Sequence, residues 1–199
     1  MLSLKGLCGC CWAVAIAAAI ESALLITNQT KITNTYDKSV SFQQMITCDM
    51  NNLGCDGGNI LYATKYVWKN DNFGNNYGGL VSYSDYPFED YLGIESQTCN
   101  IYDKTPKVYL NYPKVVTSVN DRTSFEERRD LVMAAVSQQP VTTTMKSQCD
   151  IISLYKRGVI TTDSGCECCE ASCIDHAVVL VGFDTTDEIP FWKVCHCSA

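Results

Sequence analysis

The sequence predicts an α+β fold with a helical first half and a β-rich second half. Three observations carry that expectation. Residues 11–26 are dense in alanine, a strong helix former, and Ile16, Ile20 and Leu24 recur at helical spacing. After about Pro106 the composition shifts towards β-branched and aromatic stretches, which suit a pleated surface. Residues 177–183 form a continuous apolar run bounded by turn residues, consistent with a buried strand.

The helix over 11–26 is apolar nearly all round, so it is expected to be buried rather than to lie on the surface. Residues 31–39 are polar and turn-like, and 42–47 read as a short helix ending near Cys48. Asn51-Asn52-Leu53-Gly54 and Asp56-Gly57-Gly58 carry tight-turn chemistry. A further helix fits 60–69, where Ile60, Leu61, Ala63, Tyr66 and Val67 recur, and 71–84, rich in Asn, Gly and Tyr, is a loop. Strand composition returns at 108–110, 114–119 and 141–145, with a helix over 126–137 between them. The buried strand at 177–183 is followed by a last candidate at 191–194. No internal repeat and no low-complexity tract interrupts this order.

Composition limits the function classes. With 46% hydrophobic and 19% charged residues, the 199-residue chain is not disordered and has room for one large domain or two small ones. A net charge of −7 repels phosphate, which argues against a nucleic-acid partner. Thirteen cysteines point to an oxidising compartment, a metal site or both, and the odd count leaves at least one thiol without a partner in the chain. Asn28-Gln29-Thr30 is a glycosylation sequon, which supports the secretory route. The longest apolar run, 12–20, is closed by Glu21 and falls short of a membrane helix. Met1, Lys5 and the alanines at 17–19 also fit a signal peptide with its cleavage site, so the first segment alone has two readings.

Two segments carry candidate chemistry. Cys8-Gly9-Cys10-Cys11-Trp12 opens the long helix. A cysteine at a helix N-terminus meets the positive end of the macrodipole and unpaired N–H groups, and both favour the nucleophilic thiolate. His176 heads the buried strand run in Asp175-His176-Ala177-Val178. A Cys and a distant His brought together by a fold form a thiolate–imidazolium pair suited to acyl transfer, although a lone His beside an apolar run is more often structural.

Taken together, these segments resemble the papain and cathepsin L family of cysteine peptidases. The start is similar to that family's Cys-Gly-x-Cys-Trp-Ala segment before a helix. Ser41-Phe42-Gln43-Gln44-Met45-Ile46-Thr47-Cys48 looks like its short helix ahead of a disulfide cysteine, and Gly54-Cys55-Asp56-Gly57-Gly58 like its Gly-Cys-Asn-Gly-Gly turn. Tyr86-Pro87-Phe88-Glu89 followed by Cys99, Gln139-Pro140-Val141, Tyr155-Lys156-Arg157-Gly158-Val159 and Asp175-His176-Ala177 also fit, in the family's order. Removing 1–20 would cut away the nucleophile helix, so the resemblance decides against the signal peptide.

The resemblance implies a papain-like two-domain fold. A helical left domain over 1–105 would carry the nucleophile helix. It would pack against a β-rich right domain over 106–199, an incomplete antiparallel β-barrel carrying the catalytic histidine. It implies Cys11 as nucleophile and His176 as its proton partner, with the Cys11 backbone N–H as one oxyanion donor. Gly57 and Gly58 would hold the substrate backbone, Gly58 by strand-like pairing. Asn59, Ile60, Thr144 and Ala177 would line a modest apolar specificity pocket, with the Asp175 carbonyl near the scissile amide. The implied disulfides are Cys8–Cys55 and Cys48–Cys99, and Asn28 is a glycosylation site. The implied activity is cysteine endopeptidase action on unfolded or extended polypeptide, with no cofactor. The expected partners are a polypeptide substrate and a pro-segment or protein inhibitor; no membrane or nucleic-acid partner is expected, and the chain is expected to be a monomer. The expected location is lysosomal, vacuolar or secreted.

Several positions depart from the family pattern. Lys5 stands where the family has an oxyanion Gln; an ammonium also donates, but it is longer, charged and more strongly hydrated. Losing a good oxyanion donor costs about 10²–10³-fold in rate. His196 stands at the family's Asn position, after Phe191-Trp192-Lys193-Val194-Cys195. Cys10 replaces the usual Ser beside the nucleophile. The chain stops at Ala199, before the family's covering Trp and further strands, and it lacks the lead-in strand and pro-segment; it reads as a fragment or a shortened relative. A catalytically impaired homologue that binds peptide without turnover is therefore the alternative, and a thiol-rich metal or redox protein a third. Cys166-Glu167-Cys168-Cys169 and Cys173, with Cys195-His196-Cys197, contain enough thiolate and imidazole groups for Zn²⁺, but the spacing matches no known ribbon or finger, and local disulfides or free thiols account for them more simply. No metal site is expected. The family has one cysteine near Cys166 whose partner falls beyond the position of Ala199, so the pairing of Cys166–Cys173 and Cys195–Cys197 stays open.

Overall fold

The computed structural model describes residues 7–27, 39–69, 78–90, 92–93, 98–118, 122–161, 163, 165–166 and 171–195. The observed fold is α+β. Three helices come first: α1 (Cys11–Thr27), α2 (Phe42–Cys48) and α3 (Ile60–Trp68). They are followed by α4 (Phe125–Val136), β1 (Val141–Met145), the single-turn α5 (Asp150–Ser153), β2 (His176–Asp184) and β3 (Phe191–Cys195).

The helix α1 starts where the Cys10 carbonyl accepts the N–H groups of Ala13 and Val14 at 3.0 and 3.1 Å. Trp12 to Ala17 and Ile20 are buried, as an all-round apolar helix requires, and the burial fades beyond Ile20. The short helix α2 is buried over its whole length and still contains two glutamines. Their amides are satisfied internally, as buried polar groups must be. Gln44 donates to the Gly79 carbonyl at 3.0 Å and accepts the Val81 N–H at 2.8 Å. Gln43 accepts the Glu89 N–H at 2.9 Å and donates to Thr47 and Asp90. Ser41 caps α2 by accepting the Gln44 N–H and donates to the Tyr86 carbonyl, so the loop around 79–90 is tied to the helix from both ends.

Of the strands expected from composition at 108–110 and 114–119, the described residues form no ladder; Val119 lies outside them. Val108 makes one isolated bridge with Leu80, and nothing longer follows. Prolines at 106 and 113 flank this stretch and have no N–H to extend a ladder. Val108 is buried in the core of the helical half, and Leu110 packs against that core.

In the second half, α4 carries a complete capping box: Ser124 accepts the Glu127 N–H at 3.2 Å and Glu127 accepts the Ser124 N–H at 2.9 Å. The sheet has the order β1-β2-β3, antiparallel throughout, and does not close into a barrel among the described residues. A register irregularity between Leu180 and Gly182 leaves Val181 exposed. The central strand β2 packs on α1 and α4. Ala177 and Val179 join the same buried cluster as Cys10, Trp12, Met45 and Val67. Val178 and Leu180, on the alternate face, are buried on the side that meets α4 and its Val136. One core thus runs from the helices onto one face of the sheet.

Candidate active site

Cys11 is the first residue of α1, so its N–H is among those that find no acceptor inside the helix. The approach to Cys11 is fixed by three contacts. Cys8 is disulfide-bonded to Cys55. The Gly9 N–H donates to the Cys55 carbonyl at 2.8 Å. The Trp12 indole N–H donates to the Gly54 carbonyl at 3.2 Å. A side chain at Gly9 would place its Cβ 2.6 Å from the Cys55 oxygen, so only glycine allows this approach. Cys11 itself is half-buried against the core cluster.

The turn at 54–59 lies against the same helix end. A Cβ at Gly58 would stand 2.6 Å from the Trp12 ring and 2.7 Å from Asn52 Oδ1. Asn52 organises this turn. Its Oδ1 accepts the Asn59 N–H at 2.6 Å, and its Nδ2 donates to Asp49 at 2.7 Å. Leu53 N–H donates to the Gly57 carbonyl at 3.0 Å. Asn59 then caps α3, its Oδ1 accepting the Leu61 N–H at 2.8 Å, and Ile60 packs on the core. The sequence suggested only a turn at Asn51-Asn52; the position-fixing role of the Asn52 side chain is a tertiary feature, signalled only by an Asx residue seven places before another.

On the sheet side, His176 opens β2 and is the register partner of Met145, the last residue of β1. Thr144 and Ala177 are the next pair inward. They share a face, Ala177 buried in the cluster around α1 and Thr144 exposed. The residues expected around the site therefore fall on two surfaces that meet through α1 and β2: Cys11 with Gly57–Ile60 on one, and Thr144 and Asp175–Ala177 on the other. Asp175 is exposed. Burial acts to raise its carboxyl pKa, but hydrogen bonds from the Ser147 hydroxyl and the N–H groups of Ser147 and Gln148, with the nearby His176, bring it below the ordinary carboxylate value. Lys5, Asn28 and His196 lie outside the described residues.

Most cysteines among the described residues are paired. Besides Cys8–Cys55, Cys48 is joined to Cys99 and Cys149 to Cys166, and Cys173 is also disulfide-bonded. The partner of Cys166 is Cys149, a pairing the sequence leaves open; a bond to a residue 17 positions upstream needs only the turn at α5 to bring the two together. Cys166 and Cys173 have no thiolate left for a metal, and Cys168, Cys169 and Cys197 lie outside the described residues. Cys195 on β3 is a free and exposed thiol.

Comparison with known proteins places the chain in context. The profile of the family described as papain family cysteine protease matches residues 2–196. The low-temperature-induced cysteine proteinase of Solanum lycopersicum is 31% identical over 191 residues, covering 96% of this chain and 46% of that protein. The viral cathepsin of Antheraea pernyi nuclear polyhedrosis virus is 33% identical over 188 residues, covering 94% of this chain and 48% of that protein. The chain spans about half the length of the curated relatives it matches. Among solved structures, the proform of the Amb a 11 cysteine protease, a major ragweed pollen allergen, matches with a TM-score of 0.70 and 28% identity over 95% of this chain and 49% of that one. The bromelain protease from Ananas comosus, in complex with the E64 inhibitor, matches in fold with a TM-score of 0.68 and 24% identity over 96% of this chain and 74% of that one.

Proposed function

Because this chain belongs to the papain family of cysteine proteases, we propose that it acts as a cysteine endopeptidase on unfolded or extended polypeptide, with Cys11 as nucleophile and His176 as its proton partner. The observation that carries this reading is the packing of α1 on β2. Cys11 heads one element, His176 heads the other, and Ala177 beside His176 shares a buried cluster with Cys10 and Trp12.

The chemistry follows from those roles. The Cys11 thiolate adds to the scissile carbonyl, and the negative charge moves to the carbonyl oxygen, within reach of the Cys11 backbone N–H. The intermediate collapses as the His176 imidazolium gives its proton to the leaving amine, forming an acyl-thioester on Cys11. Water then attacks the thioester with neutral His176 taking its proton, which releases the acid and restores the pair. Gly57 and Gly58 hold the substrate backbone, and Asn59, Ile60, Thr144 and Ala177 receive a neighbouring side chain. The reading assigns Cys11 and the turn at 57–60 to a helical domain over 1–105 and His176 to a β domain over 106–199, with the cleft between them.

The disulfides support residence in an oxidising compartment, such as a lysosome, vacuole or the extracellular space. The Amb a 11 proform and the E64 complex of bromelain support a pro-segment or inhibitor as a ligand of the same cleft. A second reading, an impaired homologue that binds peptide without turnover, is favoured by Lys5 and His196 at two positions where the family pattern needs an amide.

The test is incubation of the chain with an unfolded protein, with the new termini read by mass spectrometry. Internal cleavage that disappears in Cys11→Ser supports the endopeptidase. Trimming from the ends alone contradicts it. Binding without cleavage, converted into cleavage by Lys5→Gln, supports the impaired homologue.

A further inference from the structure

The turn that follows β1 is fastened at two points, and one of them adjoins His176. Asp175 Oδ1 accepts the Ser147 N–H at 2.6 Å and the Ser147 hydroxyl at 2.8 Å, while Oδ2 accepts the Gln148 N–H at 3.1 Å. The Asp175 N–H in turn donates to the Met145 carbonyl at 3.3 Å. One residue further on, the Cys149 carbonyl accepts the N–H groups of Ile152 and Ser153, which closes α5, and the Cys149 sulfur is bonded to Cys166. A short series of contacts therefore runs from the disulfide through Gln148 and Ser147 to the carboxylate beside His176.

These hydrogen bonds are exposed, so water competes for every one of them. They persist as a set only while the turn that carries the donors stays in place. A covalent closure at Cys149 limits how far that turn can drift.

We infer that the Cys149–Cys166 disulfide and the Ser147 hydroxyl position His176 by holding Asp175, and with it the start of β2, against the end of β1. The inference rests on the reaction proposed above. Ser147 and Cys149 are positioning residues: they act through Asp175 and touch no substrate. Release of the turn lets the first residue of β2 shift relative to Cys11, and a displacement of about 1 Å at a reacting group costs up to about 10²-fold in rate.

The experiment compares the full chain with Cys149→Ser/Cys166→Ser, Ser147→Ala and Ser147→Thr. The readouts are the His176 imidazole Cε1–H resonance and kcat and KM on one unfolded substrate. The double serine variant is expected to move the His176 resonance and lower kcat about 10-fold, with KM changed by less than about 2-fold. Ser147→Ala should show a smaller change of the same kind, and Ser147→Thr, which keeps the hydroxyl, should restore it. An unchanged His176 resonance in the double variant overturns the inference, as does equal loss in the alanine and threonine variants. If the double variant does not fold, the Ser147 pair decides. If the unaltered chain shows no turnover, the proposed function fails on its own, and the His176 resonance still decides the inference.

Discussion

Asn52 and Asn59 are joined through a side chain rather than the backbone: Asn52 Oδ1 accepts the Asn59 N–H at 2.6 Å, while the other end of the Asn52 amide donates to Asp49. This one buried amide sets where Gly57 and Gly58 lie relative to Trp12 at the head of α1. Asn52→Ala leaves the Asn59 N–H and the Asp49 carboxylate without that partner. The expected cost is about 1–3 kcal/mol in stability, read by denaturant unfolding. In the active chain, KM should rise more than kcat falls if, as proposed, the displaced turn holds substrate and carries no reacting atom.

Gly58→Ala tests the same approach from the other side. Its Cβ would stand 2.6 Å from the Trp12 ring and 2.7 Å from Asn52 Oδ1, so either the ring or the turn must move. Overpacking of this kind costs about 1–3 kcal/mol. The expected outcome is a lower melting temperature together with reduced substrate binding. A variant that melts and binds like the parent would show that the turn yields freely.

Glu21 gives a pH-dependent prediction. Burial raises its carboxyl pKa above the ordinary value of 4.5, against the opposing Val40 N–H hydrogen bond and the Lys107 charge. The folded state thus favours the protonated acid more than the unfolded state does. Its contribution to stability is fully present below the unfolded value and is lost as pH rises through the folded one. Glu21→Gln keeps a carbonyl to accept the Val40 N–H, which Glu21 Oε1 accepts at 3.0 Å, and carries no charge. It should raise the melting temperature near neutral pH, and the gain should vanish below about pH 4. An equal gain at both pH values would contradict the burial argument.

The Cys8–Cys55 bond closes a loop with a sequence separation of 47 and anchors the approach to Cys11. Cys8→Ser/Cys55→Ser should lower stability by about 4 kcal/mol on the chain-entropy account, measured by urea unfolding under non-reducing conditions. A loss near zero would mean that the Gly9–Cys55 hydrogen bond and the Trp12 packing already hold the segment.

The helices were legible in the sequence because their signals are local. Alanine density and apolar periodicity placed α1 at its observed start, and the helices expected at 42–47 and 126–137 appear as Phe42–Cys48 and Phe125–Val136. The strand expected at 141–145 is Val141–Met145, and the apolar run at 177–183 lies within His176–Asp184. The stretch at 108–110 has the same β-rich composition, but a ladder is a property of two segments, and between Pro106 and Pro113 the pairing is confined to Lys107 and Val108 against the single residue Leu80. The same limit applies to the site. The segment around Cys11 and the head of the strand at His176 stand out as motifs. The side-chain bridge from Asn52 to Asn59, the Ser147–Asp175 clamp and the pairing of Cys149 with Cys166 depend on which distant residues the fold brings close.

Selective labelling of Cys11 shows whether its thiolate is paired with His176. Two thiols provide the contrast: Cys195 is free and exposed on β3, whereas Cys11 is half-buried at the head of α1. Reactivity set by access alone would favour Cys195; reactivity set by a thiolate paired with His176 favours Cys11. The chain should be treated with a thiol-reactive epoxide at about pH 6, where an ordinary thiol is almost fully protonated, and the modified peptide mapped by mass spectrometry. A Cys11 thiolate paired with His176 gives one label, on Cys11, that is lost in His176→Gln. Labelling of Cys195 or Cys10 in its place, or labelling of Cys11 that persists unchanged in His176→Gln, would contradict that pairing.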